Sequence, residues 1–304
     1  MMLRSWSVPV PAVAVALTFQ AAGCDRSPPP APAPADSVGV TSAQPGETGT
    51  VRASGSSALQ PLVNAAKEQF EARNKGISVE VSAGGSKKGL ADVAAGAVQI
   101  GDSDLFAPDD LKAQLVDHKV AAVGFAAMAN KAAGDKVTSL TLADLARVFS
   151  GAVTNWKDLG GDPQPIVVIN RAPGSGTRAV FGNIVLGGDK FVESQTEDNS
   201  GALVAKLKQT KGAISYLALS FADPELRVLS LRTDAGVVEP TGANVAAGMY
   251  PIWSYEHMYT KGQPTGPTKT FLDYMTGADF QEHALPAVKG FIPITQMKVS
   301  RDRD

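Results

Sequence analysis

Arg171-Ala-Pro-Gly-Ser-Gly-Thr-Arg178 is the segment of this chain best equipped to hold a ligand, and the ligand it suits is an oxyanion. It follows an apolar run over residues 165–170 and precedes a helical pattern over 179–186. A strand so placed delivers a guanidinium and a Gly/Ser/Thr turn to a helix N-terminus, where unpaired N–H groups and the positive end of the helix dipole attract negative charge. Taken alone, the segment is equally well explained by an ordinary helix cap on Ser175 or Thr177.

Two further turns repeat the arrangement. Thr50-Val-Arg-Ala-Ser54 reads as a strand, and Gly55-Ser-Ser-Ala-Leu-Gln-Pro61 opens a helix whose apolar positions Leu59, Leu62, Val63, Ala66 and Phe70 keep helical spacing. Residues 77–82 alternate as a strand, and Ala83-Gly-Gly-Ser-Lys-Lys-Gly89 feeds a helix over 90–95. Glycine lets a backbone approach a ligand closely, and small hydroxyls add donors without filling the space. Three such turns with one arginine point to a tetrahedral anion. Lys87 and Lys88 either raise the local potential for anion entry or form a solvated face.

The elements that must position these turns alternate from residue 50 onward. Strands are expected at 98–101, 120–129, 213–217 and 252–259, and helices at 141–149, 201–209, 242–248, 269–276 and 280–288, with a further helix start at Pro108. The class is α/β. In open α/β sheets ligands sit beyond the carboxyl ends of strands, where helix N-termini converge. A cleft between two lobes would bring the turns together and could close by a hinge motion.

Composition narrows the partners. A formal charge of −2, or −3 once Arg4 and the rest of residues 1–23 are removed, argues against nucleic acid, which demands a basic face. Anion capture must therefore be local. Arg4, an apolar stretch over 8–19 and Ala21-Ala-Gly-Cys24 form an export signal rather than a spanning helix. Cys24 is the sole cysteine, so no internal disulfide exists, and its setting resembles a bacterial lipobox, with Ala21 where that motif usually has leucine. Plain cleavage nearby would leave a soluble exported protein instead. Residues 24–48 then read as a lipidated cysteine and a tether, since Pro28-Pro-Pro-Ala-Pro-Ala-Pro34 favours extended conformers and buries nothing.

The segments Ala53-Ser-Gly-Ser-Ser-Ala-Leu59, Ala83-Gly-Gly-Ser-Lys-Lys-Gly89, Ile100-Gly-Asp-Ser-Asp104, Phe149-Ser-Gly-Ala-Val-Thr-Asn-Trp-Lys-Asp-Leu-Gly160, Arg171-Ala-Pro-Gly-Ser-Gly-Thr177 and Gly212-Ala-Ile-Ser-Tyr216 occur in an order that resembles the phosphate-binding proteins of bacterial ABC phosphate importers. The resemblance implies a two-lobed, periplasmic-binding-protein-like (type II) fold, with 49–124 plus 250–304 as one lobe and 125–249 as the other. It implies a dehydrated phosphate held by Ser57, the Ala58 N–H, Ser86, Arg171, Ser175, Gly176 and Thr177, with Asp104 as an acceptor carboxylate. It further implies a monomer that passes phosphate to the transmembrane subunits of a permease at the outer face of the cytoplasmic membrane or in the periplasm.

Each implied role has a physical reason. Arg171 offers a planar fork to two ligand oxygens, although a buried arginine could instead pair with Asp102 or Asp104. Asp104 makes sense beside an anion only if that anion brings a hydrogen, which hydrogenphosphate does and sulfate at neutral pH does not. It could otherwise cap the turn before Pro108. Asp102 either shares a face with Asp104 or points away. Two departures stand out, Asp102 itself and Ala172-Pro173 where some relatives carry an acidic residue.

The same site could serve another oxyanion such as sulfate or molybdate, or a sensor without transport. An enzyme is the reading of another class, a phosphate-ester hydrolase using Ser175. Pro173 breaks the Gly-x-Ser-x-Gly elbow, and His118, His257 and His283 lack His-x-x-x-His spacing, so no metal, cofactor or catalytic pair is expected, and the histidines are expected on the surface or on helices. Trp156 and Trp253 are expected to pack against neighbouring helices.

Overall fold

The computed structural model describes residues 47–133 and 136–302. The Cys24 lipidation site, the export signal and nearly all of the tether lie outside them. The chain enters through β1 (Gly49–Gly55), α1 (Gln60–Arg73), β2 (Ile77–Ala83), α2 (Ser86–Ala95) and β3 (Ile100–Ser103). Helix α1 buries Leu62, Val63, Ala66 and Phe70, the stripe that the spacing predicts, with Pro61 tolerated in its first turn. Helix α2 begins at Ser86, earlier than the apolar pattern suggests, so the Gly/Ser turn and the helix N-terminus are one object. It ends on Gly96 with φ 76°, a left-handed cap that glycine adopts without strain.

After the short α3 (Asp109–Lys112) comes β4 (Leu115–Asn130), sixteen residues long where the apolar run marks only its second part. Its first residues alternate between covered and exposed, and from Val120 onward every position is buried. The continuous apolar pattern thus reports two-sided burial, not the length of the strand.

Then follow β5 (Ser139–Leu140), α4 (Leu142–Phe149), β6 (Val167–Val168), β7 (Asn170–Arg171), α5 (Gly176–Leu186), β8 (Thr196–Glu197), α6 (Ser200–Gln209) and β9 (Ala213–Ala218). Helix α4 starts on a reciprocal box: the Thr141 hydroxyl accepts from the Asp144 N–H at 3.0 Å and Asp144 accepts from the Thr141 N–H at 3.2 Å. The strand expected over 165–170 is split because β6 pairs with β9 while β7 turns to pair with β8. The split lifts Arg171 out of the main sheet and into the site.

The last stretch contains β10 (Leu226–Val228), β11 (Ser230–Thr233), β12 (Gly236–Val238), α7 (Gly242–Ala246), β13 (Trp253–Lys261), α8 (Gly266–Thr276) and β14 (Phe291–Ile292). A helix expected over 280–288 is instead a π-turn, Phe280–Ala284, followed by a 3-10 turn, Leu285–Ala287. Pro286 has no N–H for a continuing ladder.

Among the described residues the main sheet runs β2-β1-β3-β13-β4-β9-β6, with β10 and β14 also on β4. Strands β1, β2 and β3 are parallel, and β13 is antiparallel to both β3 and β4. Strand β4 pairs with β13 from Leu115 to Gly124 and with β9 from Phe125 onward. On that second side Phe149, Phe181 and Tyr216 stack into one core, with Phe181 and Tyr216 rings 4.5 Å apart. This packing locks α4 and α5 against β9.

Both tryptophans are buried. The Trp156 indole N–H donates to the Gly212 carbonyl at 3.0 Å, and the Trp253 ring lies under the Arg301 guanidinium at 4.4 Å. His257 departs from expectation. It is fully buried on β13, with Nδ1 at 2.7 Å from Asp117 and its ring stacked on Tyr259 at 5.5 Å.

Candidate functional site

Arg171 leaves β7 with its side chain 1% exposed. Its backbone N–H donates to the Tyr216 hydroxyl at 3.3 Å, so the aromatic core fixes the root of the side chain. At the other end, Nη2 donates to Ser57 Oγ at 3.0 Å and to the Asp198 carbonyl at 3.2 Å, and Nη1 donates to Ser200 Oγ at 3.1 Å. Burial pulls the guanidinium below its usual pKa, while Asp104, Tyr216 and Asp198 push the other way. It stays cationic, as arginine does in proteins.

Asp104 lies just beyond β3 and is equally buried. One carboxylate oxygen accepts from the Ser56 hydroxyl and the other from Thr177 Oγ1 at 2.7 Å. Its backbone N–H donates to Ser86 Oγ at 3.0 Å. The carboxylate is therefore gripped by the first and third turns and its backbone by the second. These bonds replace both alternatives left open for it, since Asp104 neither caps the turn before Pro108 nor bonds Arg171.

The three turns meet in space. The Lys87 N–H donates to the Gly174 carbonyl at 3.2 Å, joining the start of α2 to the turn before α5. A side chain at Gly176 would put its Cβ 2.8 Å from Ser86 Cβ and 2.9 Å from Asp104 Cβ, so only glycine fits there. The Ser175 hydroxyl accepts from the Arg178 N–H at 3.2 Å, which makes it the N-cap of α5. The cap reading and the ligand reading thus describe one turn. The Ala58 N–H donates to Ser56 Oγ at 3.0 Å.

Ser57, Ser86, Asp104, Arg171, Ser175, Gly176 and Thr177 are all buried or inward at one locus, with Ala58 buried beside them. Three residues join them that the sequence reading passed over: Ser56, Ser200 and Asp198. Ser200 opens α6, its Oγ lies 3.0 Å from Ser57 Oγ and its N–H donates to that oxygen at 3.2 Å. The signal was available, because Asp198-Asn-Ser-Gly201 is a fourth Ser/Gly turn entering a helix. Four helix starts therefore face one locus, each with its positive dipole end toward it.

Lys88 is tied to Asp92 at 2.5 Å, so only Lys87 of that pair remains to act through its field. Among the described residues no group of three or more His, Cys, Asp or Glu side chains is arranged to hold a metal ion.

The chain matches a family model described as a PBP superfamily domain over residues 40–279. It is 47% identical over 259 residues to the phosphate-binding protein PstS of Bacillus subtilis, covering 84% of each chain. It also resembles PstS of Staphylococcus saprophyticus at 25% identity, covering 75% of each. Among solved structures, a protein from Clostridium perfringens assigned as a phosphate ABC transporter substrate-binding protein, with bound phosphate, superposes with a TM-score of 0.75 at 29% identity, over 81% of this chain and all of that one. An ABC-type phosphate transport receptor from Vibrio cholerae shares the fold, with a TM-score of 0.63 at 21% identity, over 80% of this chain and 99% of that one. With its α/β sheet and four converging helix starts, the chain belongs to the PBP superfamily and, within it, to the family of phosphate-binding proteins that includes the Bacillus subtilis protein.

Proposed function

We propose that this protein captures inorganic phosphate outside the cytoplasm and delivers it to an ABC permease, catalysing no reaction itself. The observation that carries the reading is the presence, in one buried locus, of a single guanidinium and a single donor-gripped carboxylate. A desolvated dianion needs charge-assisted donors, which Arg171 and the helix starts supply. A carboxylate in the same place tolerates that dianion only by accepting a hydrogen from it. Hydrogenphosphate brings one; sulfate and molybdate, fully ionised near neutral pH, do not.

On this reading Ser57, the Ala58 N–H, Ser86, Arg171, Ser175, Gly176 and Thr177 exchange their mutual bonds for ligand oxygens, and Asp104 takes the ligand hydrogen. Residues 49–124 with 250–304 form one lobe and 125–249 the other. The change of partner on β4 between Gly124 and Phe125 supports that division. Strand β4, which crosses there, and the return segment just before β13, where the Phe125 N–H donates to the Ile252 carbonyl, would carry the hinge. Ser175 is occupied as a helix cap and His257 is paired with Asp117, which favours a receptor over a hydrolase. No helix among the described residues is long and apolar enough to cross a membrane. We further infer that the export signal is cleaved, Cys24 is acylated, and the receptor is a monomer tethered outside the membrane.

Titration of the purified protein with phosphate, arsenate, sulfate and molybdate by calorimetry tests the reading. Phosphate and arsenate, which carry a hydrogen near neutral pH, are expected to bind and the other two are not. Sulfate binding as tight as phosphate would overturn it.

A further inference from the structure

Asp104 is one of three carboxyl groups packed together out of water. Asp102 and Asp104 are each 1% exposed and Glu256 is fully buried. Across the antiparallel β3–β13 pair, Met258 lies opposite Asp102 and His257 opposite Ser103, so Glu256, two residues before Met258, shares the Asp102 face, and Asp104, which follows β3 directly, acts on it with Asp102. Residues directly opposite share a face, as do residues two apart along a strand. Ser254 continues the contact, its hydroxyl donating to the Asp104 carbonyl at 2.8 Å. On the other edge of β13 the register with β4 shifts between Glu256 and His257. Val120 is the extra residue, and its carbonyl accepts from Gln281 Nε2 at 2.8 Å. A bulge of this kind re-aims the side chains beside it.

The donors are shared out unequally. Both Asp104 oxygens are bonded, by Ser56 and Thr177, whereas neither oxygen of Asp102 and neither of Glu256 has a donor. The other titratable groups on the packed elements are engaged elsewhere. Asp92 on α2 holds Ser54 and Lys88, His118 on β4 holds Thr260, and Lys119 lies over the Phe106 and Tyr255 rings. On β13, His257 holds Asp117 and the Tyr259 hydroxyl meets the Ala107 N–H, while Arg171, across the site, holds Ser57 and Ser200.

A buried carboxylate without a donor or a cation does not keep its charge. We propose that Asp102 and Glu256 are carried as neutral acids behind Asp104, so that the three-carboxyl cluster holds one negative charge and Asp104 alone accepts the ligand hydrogen. The part that concerns the ligand rests on the phosphate reading above. Two carboxylates cannot bond one another, so any bond between Glu256 and Asp104 requires that one of them be protonated. Burial raises the Glu256 pKa well above the ordinary range, and the Asp104 carboxylate, by its charge and as an acceptor, raises it further. Burial and then Asp104 act on Asp102 in the same direction. Glu256 and Asp102 are thus positioning residues for charge. At alkaline pH, ionisation of either places a second negative charge beside a dianion site.

Infrared spectra of the full-length protein without phosphate read the charge state directly, because a protonated carboxyl absorbs above the carboxylate band. Near neutral pH the wild type is expected to show protonated-carboxyl absorption that loses one component in Glu256→Gln and another in Asp102→Asn. Absence of such absorption in the wild type overturns the proposal, and the wild-type spectrum followed through alkaline pH decides the point even if a variant does not fold. Phosphate affinity near neutral pH is expected to change less than about threefold in Glu256→Gln, whereas removing an ionised carboxylate beside a dianion would tighten binding by roughly tenfold or more. Wild-type affinity should fall more steeply with rising pH than that of the double variant, and parallel profiles count against the charge role. A wild type that binds no phosphate refutes the functional reading, and the infrared bands still decide the protonation.

Discussion

Replacing Arg171 by alanine, with lysine as the control, separates charge from geometry at the anion site. In the structure the guanidinium spends Nη1 and Nη2 on neutral oxygens of Ser57, Ser200 and Asp198, bonds that a ligand with formal charge would outcompete. A charge-assisted hydrogen bond contributes roughly 1.5–3 kcal/mol, so losing a two-pronged contact costs about 3–6 kcal/mol. Affinity for phosphate should therefore fall by about two to four orders of magnitude in Arg171→Ala. Lysine keeps the charge but not the planar fork, and the loss should be about half as large in free energy. Thermal unfolding without ligand is the companion measurement. Because the Arg171 bonds go to neutral oxygens and its burial carries a desolvation cost, the unliganded alanine variant should lose far less stability than affinity. Calorimetry at several salt concentrations gives the affinities. Near-native binding by the alanine variant would refute the reasoning, and a lysine variant as weak as alanine would show that charge contributes nothing.

Asp104→Asn should relax discrimination against sulfate, because the amide can donate where the carboxylate only accepts; unchanged selectivity in competition titrations would remove Asp104 from that role. Gly176→Ala should weaken binding and lower the unfolding midpoint, since its Cβ would lie 2.8 Å from Ser86 Cβ and 2.9 Å from Asp104 Cβ; a variant with native affinity and midpoint would show that the turn is free to move. The raised pKa values of Asp102 and Glu256 set the sign of the stability profile. Between the ordinary carboxylate range and those raised values the folded state holds protons that the unfolded state has released, so stability falls as pH rises, by about 1.4 kcal/mol per pH unit for each group. Denaturant melts from mildly acidic to mildly alkaline pH should show that slope, and Glu256→Gln should remove its share; a flat wild-type profile would contradict it.

The parts of the fold and site that could be seen in the sequence were those with local causes. The α1 stripe, the Gly/Ser turns and the guanidinium at the end of a strand all follow from neighbours in the chain, and the structure places them where spacing suggests. What stayed hidden depends on distant partners. Strand β4 starts well before its apolar run because its first residues pair with β13 in the sheet while alternate side chains there stay exposed. The 165–170 strand breaks because β8 competes for its end. Ser200 was missed because a serine in the first turn of a helix looks like ordinary N-terminal chemistry until α6 is set against Ser57. His257 read as a surface residue because no local pattern reveals that β13 is covered on both faces. Glu256 carries no signal at all, since an isolated acid in an apolar strand has meaning only once β3 lies beside it.

The charge arithmetic of the site follows from these distant contacts. With Asp102 and Glu256 neutral, the Arg171 and Asp104 charges cancel, and the exposed Asp198 nearby adds no positive charge, so the locus has no excess of positive charge before a ligand arrives. The whole chain is slightly negative, so long-range attraction cannot draw an anion in. Stabilisation must come from oriented dipoles: the four helix starts, the serine and threonine hydroxyls and the guanidinium fork. Such a site holds an anion through the direction of its hydrogens, not through an excess of charge. Selectivity then reduces to a hydrogen count, because the side chains proposed to meet the ligand can donate, except Asp104, which tolerates only an anion that brings a hydrogen of its own.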